Sequence, residues 1–416
     1  MRDLALWLIF SGLTYSIVRR PWTGVPALAV VAYMHPQGYG EGPMQAFPAY
    51  LYVFLLTLTA TLIRPPRPWR EWPPMLLELA RDPRLWLLIA FWAWTTWAAY
   101  QAPVSAFAWP RWWVFTKTLA GVGLGLLLID DRRKFETLIL AIALSFSLVA
   151  LKGGYWALLH GAADRVYGPP GSAYYDNNLF AIANLMTLPL LFALGQRFVS
   201  PVFRATLGLL ALAALVAALS SWSRGALLAG LALAGVMAWN GRFRLPALGG
   251  LALVSVLALG FMPGAWLARM TDIGDYARET SALSRLEIWR IGLENGLQRP
   301  WNGWGFDGWR VISDSLDWHS VYVELFVEQG GVGLALWLAL VIGLLTVLWR
   351  PRKRFPGPSL RWARPYVRAL QAGMAAYLVG GAFLGISYWE ILYQFMILGI
   401  LLERQRRALV PSSPAL

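Results

Sequence analysis

The stretch RLPALGGLALVSVLALGFM, residues 244–262, is followed by PGAWLARMTDIGDYARETSALSRLEIWRIGLENGLQRP, residues 263–300, and then by GVGLALWLALVIGLLTVLW, residues 331–349. An apolar run gives way to a charged stretch and then resumes. A bilayer-crossing helix needs about 20 apolar residues. Lipid offers no partner to backbone polar groups, so only helices and closed barrels cross it. Barrel strands would alternate with period two, whereas these runs are continuously apolar, which selects helices. A membrane protein that keeps its largest charged loop between two spans carries its specific chemistry there. That loop, residues 261–330, holds Arg278, Arg285, Arg290, Arg299 and Arg310 together with Glu287, Asp317 and His319.

The composition of the whole chain agrees. Of 416 residues, 58% are hydrophobic and 14% charged, where a soluble domain is about half apolar and about a quarter charged. The fold class expected is therefore an all-α, polytopic integral membrane protein. The net charge of +14 comes from 36 basic and 22 acidic residues, and only Lys117, Lys134, Lys152 and Lys353 among the basic ones are lysine. Basic residues gather in the loops that stay inside a cell, and no compact basic domain exists outside the apolar runs, so nucleic acid is excluded as a partner. The absence of cysteine excludes disulfides, thiol nucleophiles and thiolate metal sites. Three scattered histidines make no metal site, and neither a metal nor a cofactor is expected. The 24 tryptophans and 16 tyrosines suit the two membrane interfaces.

Apolar runs predict spans at 4–18, 22–34, 46–63, 85–100, 113–129, 134–152, 176–194, 203–220, 224–240, 244–262, 331–349, 366–385 and 389–403. Arg19, Arg20 and Pro21 break the first two, so the expectation is about twelve transmembrane helices, with thirteen as the upper count. The basic run Arg350-Pro-Arg-Lys-Arg354, with Arg361 and Arg364, marks the cytoplasmic side, as do Arg404, Arg406 and Arg407. Alternation then puts residues 64–84, 130–134, 196–204 and 240–244 inside. Residues 34–45, 101–111, 152–176 and 261–330 fall outside. The chain divides into an N-terminal transmembrane bundle (1–262), a periplasmic catalytic loop with short helices (263–330), and C-terminal transmembrane helices with a cytoplasmic tail (331–416).

Four groups on the outer side carry chemistry. Ser223 reads as a helix cap, which puts Arg224 in the first turn. A cation at a helix N-terminus opposes the helix dipole, a cost that a bound anion offsets. Ser284-Arg-Leu-Glu287 reads as a capping box opening an amphipathic helix over 285–298, with Arg285 in its first turn. Exposed N–H groups beside a guanidinium suit a phosphate. Asp317-Trp-His319-Ser320 precedes an apolar helix that carries Glu324 and Glu328. Asp317 reads as its cap and His319 as its second residue, and histidine is the side chain for proton transfer near neutral pH. The fourth group is the Gly/Pro-rich loop from Arg165 to Gly171, followed by Asp176-Asn-Asn178 at the start of a span. Arg165 there is a further anion contact. Together they describe an anion pocket at the membrane surface with a base beside it. A phosphate on a lipid fits that location, and with no paired acids for Mg²⁺ the charge falls to arginine.

At these residues the chain resembles the O-antigen ligase and O-antigen polymerase superfamily of bacterial envelope enzymes. The resemblance rests on Ser223-Arg-Gly225, Arg285 with Trp289, Pro300-Trp-Asn-Gly-Trp-Gly305, His319, Glu328 and Gly330-Gly331. These fall in family order over residues 165–345. Arg19-Arg-Pro-Trp22 and Asp176-Asn-Asn178 look like the exosortase-associated O-glycosylation ligase branch. The brief, irregular first spans depart from typical members.

The resemblance implies a GT-C-type glycosyltransferase of the bacterial inner membrane, working without metal, with its active site facing the periplasm. The implied donor is a glycan on undecaprenyl pyrophosphate, and the implied acceptor is lipid A–core oligosaccharide. It carries the family's arginine pair to Arg224 and Arg285, and its histidine to His319. Arg165, Arg224, Arg285 and Trp289 are the expected substrate-binding residues, and His319, Arg224 and Arg285 the expected catalytic ones. An O-antigen polymerase or a protein O-oligosaccharyltransferase using the same donor is the alternative. A transporter of the lipid-linked glycan is more distant, because its polar groups would sit at the bilayer midplane and its halves would repeat.

Overall fold

The computed structural model describes residues 2–198, 200–239, 243–271, 280–312 and 317–409. Every regular element among them is helical. In order they are α1 (Arg2–Arg19), α2 (Gly24–Met34), α3 (Gly42–Gln45), α4 (Ala49–Ile63), α5 (Trp72–Ala80), α6 (Pro83–Tyr100), α7 (Ser105–Leu128), α8 (Arg132–Leu159), α9 (Asn177–Gly195), α10 (Pro201–Leu219), α11 (Arg224–Trp239), α12 (Arg244–Gly260), α13 (Gly264–Thr271), α14 (Thr280–Gly296), α15 (Trp309–Ile312), α16 (Val321–Leu348), α17 (Pro351–Arg354), α18 (Ala363–Gly380) and α19 (Glu390–Leu409).

Among the described residues, four helices are long and apolar enough to cross a membrane by length and composition: α8, α9, α10 and α16. Pro21–Met34, Ala49–Ile63, Arg224–Trp239 and Arg244–Ala258 are shorter apolar segments. Large apolar side chains face outward on many helices, among them Leu4, Leu62, Trp86, Leu209, Leu231 and Ile342. A water-soluble surface rarely exposes that much apolar area, so these are the helices of a membrane protein. Some boundaries differ from the sequence reading: residues 105–111, expected in an outer loop, already belong to α7. Residues 152–159, expected in an outer loop, remain helical at the end of α8. Gly153 and Gly154 do not stop that helix, because the Ala213 carbonyl of α10 lies 3.0 Å from where a Cβ on Gly154 would sit. Close packing of small residues outweighs their poor helix propensity.

The helices pack around α18, which lies against α9 and α11. At one end of the bundle the basic loops expected on the cytoplasmic side are joined by ion pairs. Arg67 and Lys134 meet Asp130 at 2.9 and 2.5 Å, and Arg197 meets Glu136 at 3.3 Å. Arg354 meets Glu403 at 3.1 Å, and Arg404 meets Glu78 at 3.2 Å. The turns that hold Arg224 and His319 lie at the opposite ends of α10 and α16.

The long helix α16 is broken within. Gly330 has φ +66° and ψ −176°, which ends one helical segment and starts another. The break leaves carbonyls without their helical partners, and the preceding loop supplies replacements. The Trp304 N–H donates to the Val327 carbonyl at 2.8 Å and the Gly305 N–H to the Glu328 carbonyl at 2.8 Å. The Trp94 indole donates to the Gln329 carbonyl at 2.8 Å. In return the Gly331 N–H donates to the Pro300 carbonyl at 2.7 Å. The turn over residues 300–305 is thus docked into the broken helix, as buried polar backbone requires. A Cβ on Gly330 would lie 2.2 Å from the Trp301 carbonyl oxygen, in a backbone conformation that L side chains rarely adopt. Gly330→Ala is expected to destabilise the protein by roughly 2–4 kcal/mol. A lowered melting temperature of the purified variant in detergent checks this, and an unchanged one would refute the docking argument.

Candidate functional site

The site is built on the turn between α10 and α11. Trp222 there takes the left-handed conformation, φ +59°, and its indole donates to the Ala162 carbonyl at 3.1 Å. Ser223 caps α11 by accepting the Ala226 N–H at 3.2 Å. Arg224 follows as the first helical residue, as the sequence reading expected.

Two further segments are tied to this turn. The loop before α9 is held where the Val166 N–H donates to the Ser220 carbonyl at 3.0 Å and the Asn177 side chain donates to the Ser221 carbonyl at 2.6 Å. Asp176 caps α9, accepting the Asn178 and Leu179 N–H groups at 2.9 and 3.2 Å. That loop carries Arg165. On the other side, α13 docks through Trp266, whose indole donates to the Leu219 carbonyl at 3.2 Å. One turn on, Arg269 Nε donates to the Trp222 carbonyl at 3.3 Å. Sequence reasoning missed Arg269. The available signal was its place one turn after Trp266 in the same outward stretch.

Helix α14 brings Arg285. The expected capping box is not the helix start, because α14 already runs from Thr280 and Arg285 lies in its second turn. Glu287 instead faces Arg290, at 2.6 Å. Tertiary packing sets this helix: Ile288 and Trp289 join Trp318, Val323 and Val327 in one apolar cluster. The segment 317–320 also differs from expectation. Helix α16 starts at Val321, so His319 precedes the helix and Asp317 is not its cap. His319 holds a φ of +48°, which turns the chain before the helix can begin. The Asp317 carboxylate lies against Gly385, where a Cβ would come within 2.7 Å of both oxygens. The Trp289 indole donates to the Trp318 carbonyl at 2.9 Å, beside His319. Trp289 therefore fixes the histidine segment to the helix that carries Arg285.

The charges converge. Burial first, and then Arg165, Arg224 and Arg285, push the Arg269 guanidinium below its ordinary range. Arg285 is pushed the same way by burial and Arg224, with Asp176 opposing. His319 is lowered from 6.5, chiefly by burial; Arg285 adds to this, while Asp317 and Asp176 oppose it. Asp317 is raised by burial and held back first by His319. Arg165, Arg224, Arg269, Arg285, Asp176, Asp317 and His319 thus act on one another electrostatically. Arg290, Arg299 and Arg310 belong elsewhere: Arg290 pairs with Glu287 and Glu294, while Arg299 and Arg310 stack on Trp304 and Trp309. Arg278 lies outside the described residues. Among the described residues no three His, Asp or Glu side chains gather as a metal site.

Glu324 and Glu328 are buried behind the histidine, and both hold the segment 384–389. The Ser387 N–H donates to Glu324 at 3.0 Å, and the Tyr388 hydroxyl donates to Glu328 at 3.0 Å. No local sequence signal marks that segment, which reaches the site from the far end of the chain.

Among the described residues, two cavities lie near the arginines. One, of about 950 Å³, includes Arg165 and Trp222 in its wall. The other, of about 260 Å³, is apolar and runs between α9, α10, α11 and α12, with Ser223 and Trp266 among its lining.

Two charge substitutions should move His319 in opposite directions. Asp317→Asn removes an anion that favours the imidazolium, so the pKa falls further. Arg285→Gln removes a cation that disfavours it, so the pKa rises. Histidine NMR titration of the protein in detergent reads both, with His35 and His160 as internal references; shifts of the same sign would dissolve the cluster.

Residues 209–338 match the family model described as O-antigen ligase. Residues 1–198 match a family of unknown function, DUF5935. No curated protein matches the chain. The first match contains Arg224, Arg269, Arg285, Trp289 and His319, and the second contains Arg165 and Asp176. The family supports ligase- or polymerase-type activity in general, on lipid-linked glycan and lipid substrates. The stretch 209–338 is thus similar to the O-antigen ligase family.

Proposed function

We propose that the protein transfers a glycan from undecaprenyl pyrophosphate to lipid A–core oligosaccharide at the periplasmic face of the bacterial inner membrane. The observation that carries this reading is the convergence of Arg165, Arg224, Arg269 and Arg285, with Arg285 acting in turn on His319. In this reading the chain has about twelve spans of the GT-C type, with residues 263–330 as the catalytic loop between two transmembrane parts.

The chemistry follows from the charges. Guanidinium groups at close quarters raise the cost of one another's charge, and a pyrophosphate offsets that cost while accepting paired hydrogen bonds. Arg224 and Arg285 bind it and stabilise the charge that develops as it leaves; Arg165 and Arg269 add to the field. The apolar cavity that starts at Ser223 and Trp266 suits the polyprenyl chain. The acceptor hydroxyl oxygen attacks the anomeric carbon from the side opposite the leaving group. The bond from that carbon to the phosphate oxygen breaks, and undecaprenyl pyrophosphate departs with the electron pair. The proton of the hydroxyl passes to His319. A lowered pKa keeps this imidazole neutral, and hence a base, near pH 7. The configuration at the sugar carbon inverts.

Reconstitution tests the reading: purified protein in liposomes, undecaprenyl-pyrophosphate glycan, lipid A–core and EDTA. Glycan on lipid A–core is expected. Arg224→Ala and Arg285→Ala should each reduce kcat/KM by about 10²-fold or more. His319→Asn suits the left-handed backbone there and should lower kcat by about 10²–10⁴-fold with an unchanged melting temperature. Full activity in that variant would remove the base assignment. Lengthened glycan still on its undecaprenyl carrier would make the enzyme a polymerase instead.

A further inference from the structure

The geometry points to a saccharide subsite in the larger cavity, built by the N-terminal region of unknown function. All of its lining residues except Trp222 lie within residues 1–198. Its walls present the side chains of Tyr39, Tyr155, Trp156, Tyr167, Tyr175 and Trp222. Tyr167 and Tyr175 stack at 5.6 Å between centroids, 24° from parallel, and stay largely exposed. Lys152, Asp164 and Arg165 add charged groups to the same wall.

A sugar ring has one face of C–H bonds and a rim of hydroxyls. Aromatic faces take the first and ionic side chains the second. The apolar cavity on the other side of the arginines is lined mostly by Leu, Ala and Gly, with Phe192 and Trp266 as the aromatic lining among the described residues. That contrast separates a site for a lipid chain from one for a hydroxylated ring. The volume of about 950 Å³ is at the upper end of the range of about 300–1,000 Å³ that encloses a drug-sized ligand, enough for several rings.

The cavity wall is fixed in advance. The Gly168 N–H donates to the Tyr175 carbonyl at 2.9 Å, and the Tyr174 carbonyl oxygen comes within 1.9 Å of where a Cβ on Gly168 would sit. His35 Nδ1 is bonded to the Pro170 carbonyl at 2.8 Å, which ties the loop to the end of α2. Lys152 is held over the Tyr39 ring at 4.8 Å. Preorganisation of this kind reduces the ordering cost of binding. Arg165 borders both this cavity and the arginine cluster, so a sugar here sits beside a phosphate there. Naming the transferred glycan or its acceptor sugar as occupant rests on the ligase reading; the saccharide class rests on the cavity itself.

The test uses full-length protein in nanodiscs and saturation-transfer NMR. One probe is the oligosaccharide freed by mild acid from the undecaprenyl-linked glycan of the source bacterium. The other is the core oligosaccharide freed from its lipopolysaccharide. At least one should bind, and the Tyr167→Ala/Tyr175→Ala and Tyr155→Ala/Trp156→Ala pairs should each weaken it about tenfold. Binding of undecaprenyl pyrophosphate should not change. Aromatic-dependent binding of the first probe assigns the subsite to the donor, and of the second to the acceptor. No binding of either, or binding that both pairs leave intact, overturns the subsite. If undecaprenyl pyrophosphate still binds and is turned over, only the subsite has failed. Saccharide binding without any transfer in liposomes would instead remove the ligase reading and leave the subsite standing.

Discussion

The backbone break at Gly330 is the constraint on which the half of the protein that holds the site depends. A helix interrupted in a buried setting exposes carbonyls that need new partners. Here the N–H groups of Trp304 and Gly305 satisfy two of them, and Gly331 donates back to Pro300. The interruption therefore serves as a socket. It anchors the return of the long outer loop, whose other arm, α14, carries Arg285. The segment of α16 before the break, which follows His319, buries Glu324 and Glu328 against Ser387 and Tyr388, and this holds the histidine segment in place.

Around that anchor the arginines are assembled from four separate segments. Arg165 comes from a loop, Arg224 from the start of α11, Arg269 from α13 and Arg285 from α14. Each segment is tied to the α10–α11 turn or to Trp318 by hydrogen bonds from indoles, an asparagine side chain or backbone N–H groups. Tryptophan suits this task because its large apolar body packs while its single N–H finds one carbonyl. Held this way, like charges stay close although they raise one another's cost. Asp176 and Asp317 moderate the field at Arg285 and His319 respectively. An arrangement that is costly in isolation is the kind that a polyanionic ligand relieves, and this links the electrostatics to the proposed chemistry.

The two cavities divide the surroundings by chemistry. One is aliphatic and lies among the helices; the other is aromatic and charged and opens around the loop of Arg165. Under the proposed function they take the lipid and the sugar ends of one class of substrate, with the pyrophosphate between them. The ligase-family domain then supplies the charge and the base, and the N-terminal region shapes the glycan side.

The helical membrane class was legible in the sequence, because continuous apolar runs of span length admit no other economical backbone solution. Local chemistry was legible too. Ser223 caps its helix as its short polar side chain dictates, and Arg224 falls in the first turn. The placement of Arg224, Arg285 and His319 on one side followed from alternation of charge along the chain. What the sequence could not decide were the features set by distant partners. Ser284 and Glu287 carry a cap signature, yet packing on Trp318 carries α14 back to Thr280. Asp317 resembles a cap, yet the backbone turn at His319 and contact with Gly385 draw it away. Arg269 shows only its spacing from Trp266, and the segment 384–389 gives no local sign at all. Capping is a contest among neighbours a few residues apart and can be read along the chain. The arginine cluster is a sum over four segments spread along 120 residues of chain, and only their packing brings those charges within reach of one another.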